Sequence, residues 1–290
     1  MAPRGRSRAR GGITLVRRPE APPPRALSIA GSDSGGGAGI QADLKTFAVL
    51  GVWGMSAITS VTVQNTLGVS GVADVPARVV GAQIRAVVQD IGVDAAKTGM
   101  LSSTAIIDAV ADAVLDSGIS NLVVDPVFMS KHGDPLLQPD AVEALRARIL
   151  PLAVLVTPNL PEASGLVGFE VSSREEMRKA ADAILDLGAR AVLVKGGHLP
   201  SEATADDLFA QAGHAEWLSA ERIHNPDTHG TGCVLSAAIV AHIARGSELP
   251  EAVALGKRFV TDAIRHALRM GRGIGPVSPA WRAMLEDGQV

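Results

Sequence analysis

Apolar residues follow two different spacings along this chain, and the two spacings alternate. Short apolar runs at 27–30, 122–124, 154–156 and 191–194 have the length of buried strands, and 56–64 is rich in β-branched residues. Between these runs, apolar residues recur every three or four positions, which is the spacing of a helix with one buried face. The pattern therefore predicts strands that alternate with helices.

This alternation predicts an α/β fold in which helices cover both faces of a mostly parallel central sheet. A short strand and turn are expected at 95–100, and two short strands near 207–211 and 216–218 are expected to pair antiparallel. The expected helices are one that begins near Ile40, then 80–91, 104–115, 140–149, one from a Ser172 or Ser173 cap to about 187, one that carries Leu235 and Ile239, and 250–268.

The first 25 residues differ in composition from the rest of the chain. They contain seven arginines, one glutamate and a run of three prolines, which is typical of a disordered tail. Their net charge is +6, so the overall charge of −3 leaves −9 for residues 26–290. We find no linker inside 26–290 and predict one domain there. Its acidic character argues against nucleic acid as a partner.

Two further counts bear on location. No apolar run approaches the length of a membrane-spanning helix, so no membrane partner is expected. The chain contains one cysteine, Cys233, which cannot form an internal disulfide, and a reducing cytoplasm is the expected compartment.

A glycine-rich turn near the C-terminal end carries the most specific candidate chemistry. Gly230, Thr231, Gly232 and Cys233 run directly into an apolar helical pattern. The first amides of such a helix lack partners and, together with the helix dipole, favour bound phosphate oxygens. The same field is expected to favour a thiolate at Cys233. The alternative interpretation is a plain glycine turn before a core helix.

Polar residues follow the ends of several predicted strands, where open parallel sheets bind their ligands. Asp125, Asn159 and Glu162 offer oxygen ligands suited to Mg²⁺, and Lys195 is a mobile cation for phosphates. An anion site, a magnesium site and a lysine together are the components of phosphoryl transfer. Glycine and proline occur at strand ends in any protein. The position at a strand end therefore indicates a function mainly for these four residues.

A second glycine-rich loop, 31–39, follows the first predicted strand. It lacks the acidic residue of a dinucleotide fingerprint and the Gly-Lys-Ser/Thr of a P-loop. We expect its backbone to approach a small ligand closely. Asp43 is expected in the first turn of the following helix, where the dipole favours a carboxylate.

Seven segments, taken in order, resemble the hydroxymethylpyrimidine/phosphomethylpyrimidine kinases of thiamine biosynthesis. They are Ala30–Asp43, Val63–Thr66, Lys97–Leu101, Gly133–Leu137, Thr157–Ala163, Val194–His198 and His229–Cys233. The resemblance implies a ribokinase-like three-layer α/β/α fold. It also implies ATP- and Mg²⁺-dependent phosphorylation of 4-amino-5-hydroxymethyl-2-methylpyrimidine, and then of its monophosphate to the diphosphate, by a protein that is commonly a homodimer.

The resemblance also implies roles for individual residues. The pyrimidine pocket would be lined by Gly31, Asp43, Gln64, Met100 and Val127. ATP would be held by Asn159, Glu162, Lys195, Thr231 and Gly232, and Mg²⁺ by Asp125 and Glu162. Catalysis would fall to Lys195, Gly230, Thr231, Gly232 and Cys233. Cys233 lies where related sugar kinases carry an aspartate base, so one hypothesis is that it accepts or positions the hydroxyl proton. The alternative is that it only shapes the pocket.

Three other functions were weighed. A kinase of the same fold that acts on pyridoxal or pyridoxine differs in substrate preference only. A non-catalytic pyrimidine sensor would be expected to lack Lys195, Glu162 or the glycines of the 230–232 turn, and all are present. A dinucleotide-dependent oxidoreductase is disfavoured by the missing acidic partner of the first glycine loop.

Overall fold

The fold is a single nine-stranded sheet with helices on both faces. The structure is a computed structural model, and it describes residues 21–134, 136–138, 140–197, 199 and 203–285. The order across the sheet is β3-β2-β1-β4-β5-β6-β7-β8-β9. The strands are β1 (Arg25–Ser32), β2 (Trp53–Asn65), β3 (Gly68–Asp74), β4 (Ala95–Thr98), β5 (Leu122–Val124), β6 (Ala153–Val156), β7 (Ala191–Val194), β8 (Thr204–Gln211) and β9 (His214–Glu221).

The six strands β2, β1, β4, β5, β6 and β7, in their order across the sheet, run parallel. Strand β3 at one edge pairs antiparallel with β2, and β8 and β9 at the other edge also pair antiparallel. The helices are α1 (Gly39–Val49), α2 (Ala77–Asp90), α3 (Thr104–Asp116), α4 (Ala141–Ala144), α5 (Leu160–Val167), α6 (Arg174–Asp186), α7 (Thr231–Ala244), α8 (Leu249–Arg265) and α9 (Trp281–Leu285). A π-helical segment, Leu145–Ile149, and a 3₁₀ segment, Leu150–Leu152, continue α4.

The core consists of two apolar layers, one on each side of the sheet. One layer packs α2, α3 and α6 through residues such as Ile84, Ile107 and Ile184. The other packs α1, α7 and α8 through Phe47, Ile239 and Val253. Helix α7 lies between α1 and α8 and is buried almost all round, which is the pattern of a core helix. The three-layer architecture is therefore confirmed, and it fixes the start of α7 against the sheet.

Most of the elements predicted from the sequence are confirmed. The strands at 122–124 and 191–194 have the predicted bounds, and the helix cap at Ser173 accepts the N–H of Glu176. Strand β3 and helices α5 and α9 were not predicted. The helix expected over 140–149 is α-helical only from Ala141 to Ala144.

The first strand begins at the last residue of the predicted tail, and a salt bridge holds that residue in place. Arg25 already belongs to β1, and its guanidinium contacts Asp94 at 2.6 Å. Most of the predicted disordered tail, 1–25, consists of residues 1–20, which lie outside the described part of the chain. Within the described residues, no helix combines the length and apolar character needed to cross a bilayer.

Candidate active site

A cavity of about 750 Å³ opens at the carboxyl ends of the parallel strands. Its lining comes from the turns after β1, β4, β5, β6 and β7 and from the start of α7, so residues far apart in sequence share one space. This is the edge at which open parallel sheets bind ligands. All of the predicted site residues except Asp43 line this cavity.

The glycine turn before α7 packs against the first glycine loop. Gly230 caps the helix with φ of 80°, a left-handed conformation that favours glycine. A β-carbon at Gly230 would lie 1.9 Å from the carbonyl oxygen of Gly37. Among the described residues, no acceptor meets the N–H groups of Gly232 and Cys233 in the first turn of α7. These amides remain available for an anion, as the sequence predicted.

A lysine and two carboxylates face this helix start. The ammonium of Lys195 lies 3.1 Å from Asp125 and 3.6 Å from Glu162. A β-carbon at Gly232 would lie 3.3 Å from the same ammonium and 3.5 Å from Asp125. The first turn of α7 therefore lies beside the Lys195–Asp125 pair, and the two together could hold phosphate groups.

Burial and mutual charge set the protonation of these three groups. Burial raises the pKa of Glu162 to about 7, with the charge of Asp125 adding to the effect and Lys195 opposing it. Burial also acts on Asp125, but the lysines 195 and 97 lower its pKa below the usual range. The two carboxylates in turn raise the pKa of Lys195 despite its burial. The group therefore holds a charged lysine and a glutamate that titrates near neutrality.

Helix α5 positions two of these residues. The side chain of Asn159 accepts the N–H of Glu162 at 2.8 Å, and the carboxylate of Glu162 accepts the N–H of Asn159 at 2.8 Å. This reciprocal capping box fixes Glu162 at the cavity wall. Thr157 and Ser236 donate to the two oxygens of Asp125 at 3.3 Å each.

The donor set fits magnesium when phosphate is present. No cluster of three or more acidic, histidine or cysteine side chains occurs in the described ranges, so the protein does not supply a complete metal cage. Magnesium commonly binds through one or two carboxylates plus substrate phosphates and water. Asp125 and Glu162 are two such carboxylates, and they adjoin the anion-binding amides.

Most residues predicted for the pyrimidine lie at the ends of β1, β2 and β4, across β5 from the strands β6 and β7 that precede Asn159 and Lys195. Gly31, Gln64, Met100 and Val127 line the cavity. A β-carbon at Gly31 would lie 3.1 Å from the sulfur of Met100, so the backbone of Gly31 packs closely against this side chain and a larger residue would crowd it. Gln64 offers both an amide donor and an acceptor, as an aminopyrimidine edge requires.

The prediction that Asp43 lines the pocket is wrong. Helix α1 begins at Gly39, so Asp43 lies in the second turn and faces the sheet. It is fully buried, accepts the Ser28 hydroxyl at 2.6 Å, and pairs with Lys97 at 2.9 Å. Lys97 does line the cavity. Asp43 therefore lies behind the cavity wall, where it forms an ion pair with the buried Lys97.

The first glycine loop is not a second anion site. The carboxylate of Asp33 accepts the amides of Gly35, Gly37 and Ala38 at 2.8–2.9 Å. It also contacts the Nε2 atom of His229 at 3.0 Å. The loop amides are thus bonded to the protein itself, and Asp33 joins the loop to the turn before α7.

The structure also corrects the expectation that Cys233 is a thiolate. The sulfur lies at the start of α7, as predicted, but burial raises the pKa of the thiol to about 12. Lys97 acts in the opposite direction, and Asp43 and Asp125 add to the increase. Cys233 is half-buried at the cavity wall, and this burial outweighs the charge of Lys97, so the thiol is protonated at neutral pH.

Sequence reasoning missed two parts of the cavity wall. One lies beyond Lys195, where Lys257 of α8 pairs with Asp207 at 2.7 Å and the loop 223–225 closes the wall. The other is the later part of the turn after β5, beyond the predicted Val127, which contributes Met129 and Lys131. Neither belongs to a glycine-rich motif. Two expected motif residues, Pro135 and His198, lie outside the described residues.

Comparison with known proteins agrees with this geometry. The solved ADP complex of Bacillus subtilis pyridoxal kinase superposes with a TM-score of 0.84 at 40% identity, covering 90% of this chain and 98% of that one. The phosphomethylpyrimidine kinase of Clostridium difficile gives 0.74 at 43% identity, covering 83% and 99%. The fold and site therefore define a ribokinase-like small-molecule kinase.

The family follows from the sequence match. A family model described as phosphomethylpyrimidine kinase matches residues 33–278. The hydroxymethylpyrimidine/phosphomethylpyrimidine kinase of Mycobacterium tuberculosis is 54% identical over 261 residues, which is 90% of this chain and 95% of the relative. The chain belongs to the phosphomethylpyrimidine kinase family.

Proposed function

We propose that this protein transfers the γ-phosphoryl group of ATP to the hydroxymethyl group of 4-amino-5-hydroxymethyl-2-methylpyrimidine, and then transfers a second one to the resulting monophosphate. The observation that carries this proposal is the shared cavity. It brings the free amides of α7, Lys195 and the Asp125–Glu162 pair into the same space as Gly31, Gln64 and Met100. The family membership specifies the substrate class.

In the first step, the hydroxyl oxygen of the pyrimidine attacks the γ-phosphorus and gives up its proton to water, the bridging bond to the β-phosphate breaks, and ADP leaves with the electron pair. The amides of Gly232 and Cys233 hold the oxygens of the transferring group. Lys195 neutralises charge on the nucleotide phosphates. A magnesium ion held by Asp125 and Glu162 would supply further charge neutralisation.

The nucleotide and the pyrimidine are assigned to opposite ends of the cavity. Asn159, Glu162 and Lys195, with the wall formed by Lys257, would receive ATP. They follow β6 and β7 or contact β8, whereas the pyrimidine residues Gly31, Gln64 and Met100 lie at the ends of β1, β2 and β4, on the other side of β5 in the sheet. Gln64 would hold the edge of the ring by its amide. Cys233, as a protonated thiol, would shape the pocket and donate to the hydroxyl.

The test uses the purified protein with ATP, Mg²⁺ and the hydroxymethylpyrimidine, followed by mass spectrometry. We expect the monophosphate and then the diphosphate to form, and both to require Mg²⁺. Absence of any product from folded protein would refute the kinase proposal. Lys195→Met, which should fold but lose charge at the transferring group, is the matched inactive control.

A second candidate substrate is pyridoxal, because the Bacillus subtilis pyridoxal kinase has a closely similar fold. Comparison of kcat/KM for pyridoxal and for the hydroxymethylpyrimidine separates the two activities. We expect the pyrimidine to be preferred, and a strong preference for pyridoxal would overturn this assignment.

We also propose that the protein is a homodimer of the cytoplasm. The hairpin of β2 and β3 at one edge of the sheet exposes Trp53, Val61, Val63 and Val72, which a second copy would cover. A single cysteine, placed at the active site, suits a reducing compartment.

A further inference from the structure

Most of the cationic side chains that line the cavity already have partners. Lys97 pairs with Asp43, Lys195 with Asp125 and Glu162, and Lys257 with Asp207. Arg222 donates three hydrogen bonds to backbone carbonyl oxygens. Their positive charges and donors are therefore largely committed within the protein.

Lys131 is the exception among the lysines and arginines of the described lining. It contributes to the cavity wall, and no acidic side chain or hydrogen-bond acceptor in the described residues meets its ammonium. Lys131 is exposed to solvent at the cavity wall, and the burial that it does have lowers the pKa of its ammonium, with no carboxylate to offset the effect. The side chain thus presents three unused donors and an uncompensated charge to the cavity.

The turn that carries Lys131 is held in place by its own hydrogen bonds. The hydroxyl of Ser130 donates to Asp134 at 2.7 Å and accepts the amide of Asp134 at 3.1 Å. Leu136 and Ser130 complete backbone bonds to Phe128 and Asp134. An ordered turn limits the conformational entropy lost when Lys131 binds a ligand.

The same turn is docked on the pyrimidine side of the cavity. The imidazole of His132 lies 3.0 Å from the carbonyl oxygen of Thr66, and Asp134 accepts the amide of Val69 at 3.3 Å. Thr66 and Val69 lie in the β2–β3 hairpin close after Gln64, which lines the cavity and is assigned to the pyrimidine. Lys131 therefore faces the acceptor substrate, whereas Lys195 and Lys257 face the nucleotide.

The two proposed phosphorylation steps place different demands on that side. The first acceptor is a neutral alcohol, which needs no cation of its own. The second acceptor is a phosphate monoester, which carries close to two negative charges at neutral pH and must approach the anionic γ-phosphate of ATP. Without a further cation, repulsion between the two phosphates opposes the second step.

We propose that Lys131 binds the phosphate of the monophosphate acceptor and so selects for the second phosphorylation step. This inference rests on the proposed function, since it requires that both steps occur in the same cavity. In the second step, a phosphate oxygen held by Lys131 attacks the γ-phosphorus, the β–γ bridging bond breaks, and the pyrimidine diphosphate and ADP are formed.

The experiment measures both steps separately with the full chain. Wild type and Lys131→Gln are supplied with ATP and Mg²⁺ and with either the alcohol or its monophosphate. We expect kcat/KM for the monophosphate to fall at least about tenfold more than kcat/KM for the alcohol, mainly through KM. Lys131→Arg, which keeps the charge, should retain most of the activity on the monophosphate.

A direct binding measurement and a surface control accompany the kinetics. Titration calorimetry without nucleotide should show weaker binding of the monophosphate to Lys131→Gln than to wild type. Lys179→Gln removes a positive charge from an exposed pair on α6 and should change neither step.

Each outcome assigns the failure to one proposal. If wild type phosphorylates neither acceptor, the proposed function fails. If wild type performs both steps and Lys131→Gln slows both equally with a raised KM for ATP, Lys131 serves the nucleotide and the inference is wrong. An unchanged ratio of the two steps in Lys131→Gln overturns it as well.

Discussion

At the scale of single residues, two opposing effects act on the sulfur of Cys233. The start of α7 favours a negative charge there, while removal from water disfavours it. Burial is the largest effect and raises the pKa of the thiol to about 12, so the proton of the substrate hydroxyl is not accepted by a pre-formed thiolate. Pocket shape and hydrogen bonding remain as the roles of this side chain.

We therefore expect Cys233 to react slowly with alkylating reagents. At about pH 8, a thiol with this pKa is ionised far less than free cysteine, so its alkylation by iodoacetamide should be at least about a hundredfold slower. Mass spectrometry of the intact protein over time measures the rate, and urea-unfolded protein is the control. Equal rates for folded protein and free cysteine would contradict the burial argument.

Glu162 links the site to the pH dependence of stability. Folding raises its pKa from about 4.5 to about 7, so the folded state binds this proton more tightly. The corresponding stabilisation is complete below about pH 4.5 and is lost as the pH rises to about 7.

The free energy of unfolding should accordingly fall by about 1–3 kcal/mol more in wild type than in Glu162→Gln across that window. Glutamine keeps an acceptor for the amide of Asn159, so the capping box remains. Urea denaturation at a series of pH values gives both curves. Parallel curves would show that Glu162 titrates normally.

The two glycines of the turn before α7 differ in what a methyl group would meet. At Gly230 it would clash with the backbone of Gly37, in a left-handed conformation that alanine disfavours. At Gly232 it would lie near the ammonium of Lys195 without a backbone clash.

Gly230→Ala should therefore lose at least about 2 kcal/mol of stability, because the loop and the turn must separate. Gly232→Ala should keep nearly the wild-type stability but lose at least about tenfold in kcat/KM, because the methyl group crowds the phosphate site. Thermal unfolding and steady-state kinetics on the pair test this division. Equal stability losses in both variants would count against it.

At the scale of elements, the N-terminus of α6 isolates a capping effect from catalysis. Ser173 accepts the amide of Glu176, and the carboxylate of Glu176 accepts the amide and hydroxyl of Ser172. These residues are exposed and do not line the cavity.

Ser173→Ala should lower the free energy of unfolding by about 0.5–2 kcal/mol and leave kcat unchanged. Ser219→Ala, at an exposed position on β9, is the matched control and should change stability by less than about 0.5 kcal/mol. Chemical denaturation of the three proteins is the measurement. No difference between the two variants would mean that the cap contributes nothing.

At the scale of the whole molecule, the exposed apolar side chains of the β2–β3 hairpin are expected to be buried by a second copy. Light scattering should give twice the 29.8 kDa mass of the chain. Val63→Lys should shift the protein toward monomer, because a charge in the buried interface is costly. Leu115→Lys, at an exposed position on α3, is the control. A monomeric wild type would rule out the dimer.

The order of the elements and the position of the site are encoded locally in the sequence. The periods of apolar residues defined the parallel strands, and polar residues at strand ends indicated the edge where Asp125, Asn159 and Lys195 gather. Helix α5 was missed although its signals were present: Asn159 and Glu162 form a capping box around a proline, and they were interpreted only as ligands. Strand β3 was missed because two glycines interrupt its apolar pattern.

Periodicity thus determined the fold class, and the motifs determined which side chains meet at the cavity. Only the tertiary structure decided how those side chains are paired and how deeply they are buried. Asp43 is committed to Lys97 across 54 residues, and Asp33 to His229 across 196. The pKa of a group depends on partners and solvent that distant parts of the chain supply, so the protonated Cys233 and the unpartnered Lys131 were not accessible from local pattern alone.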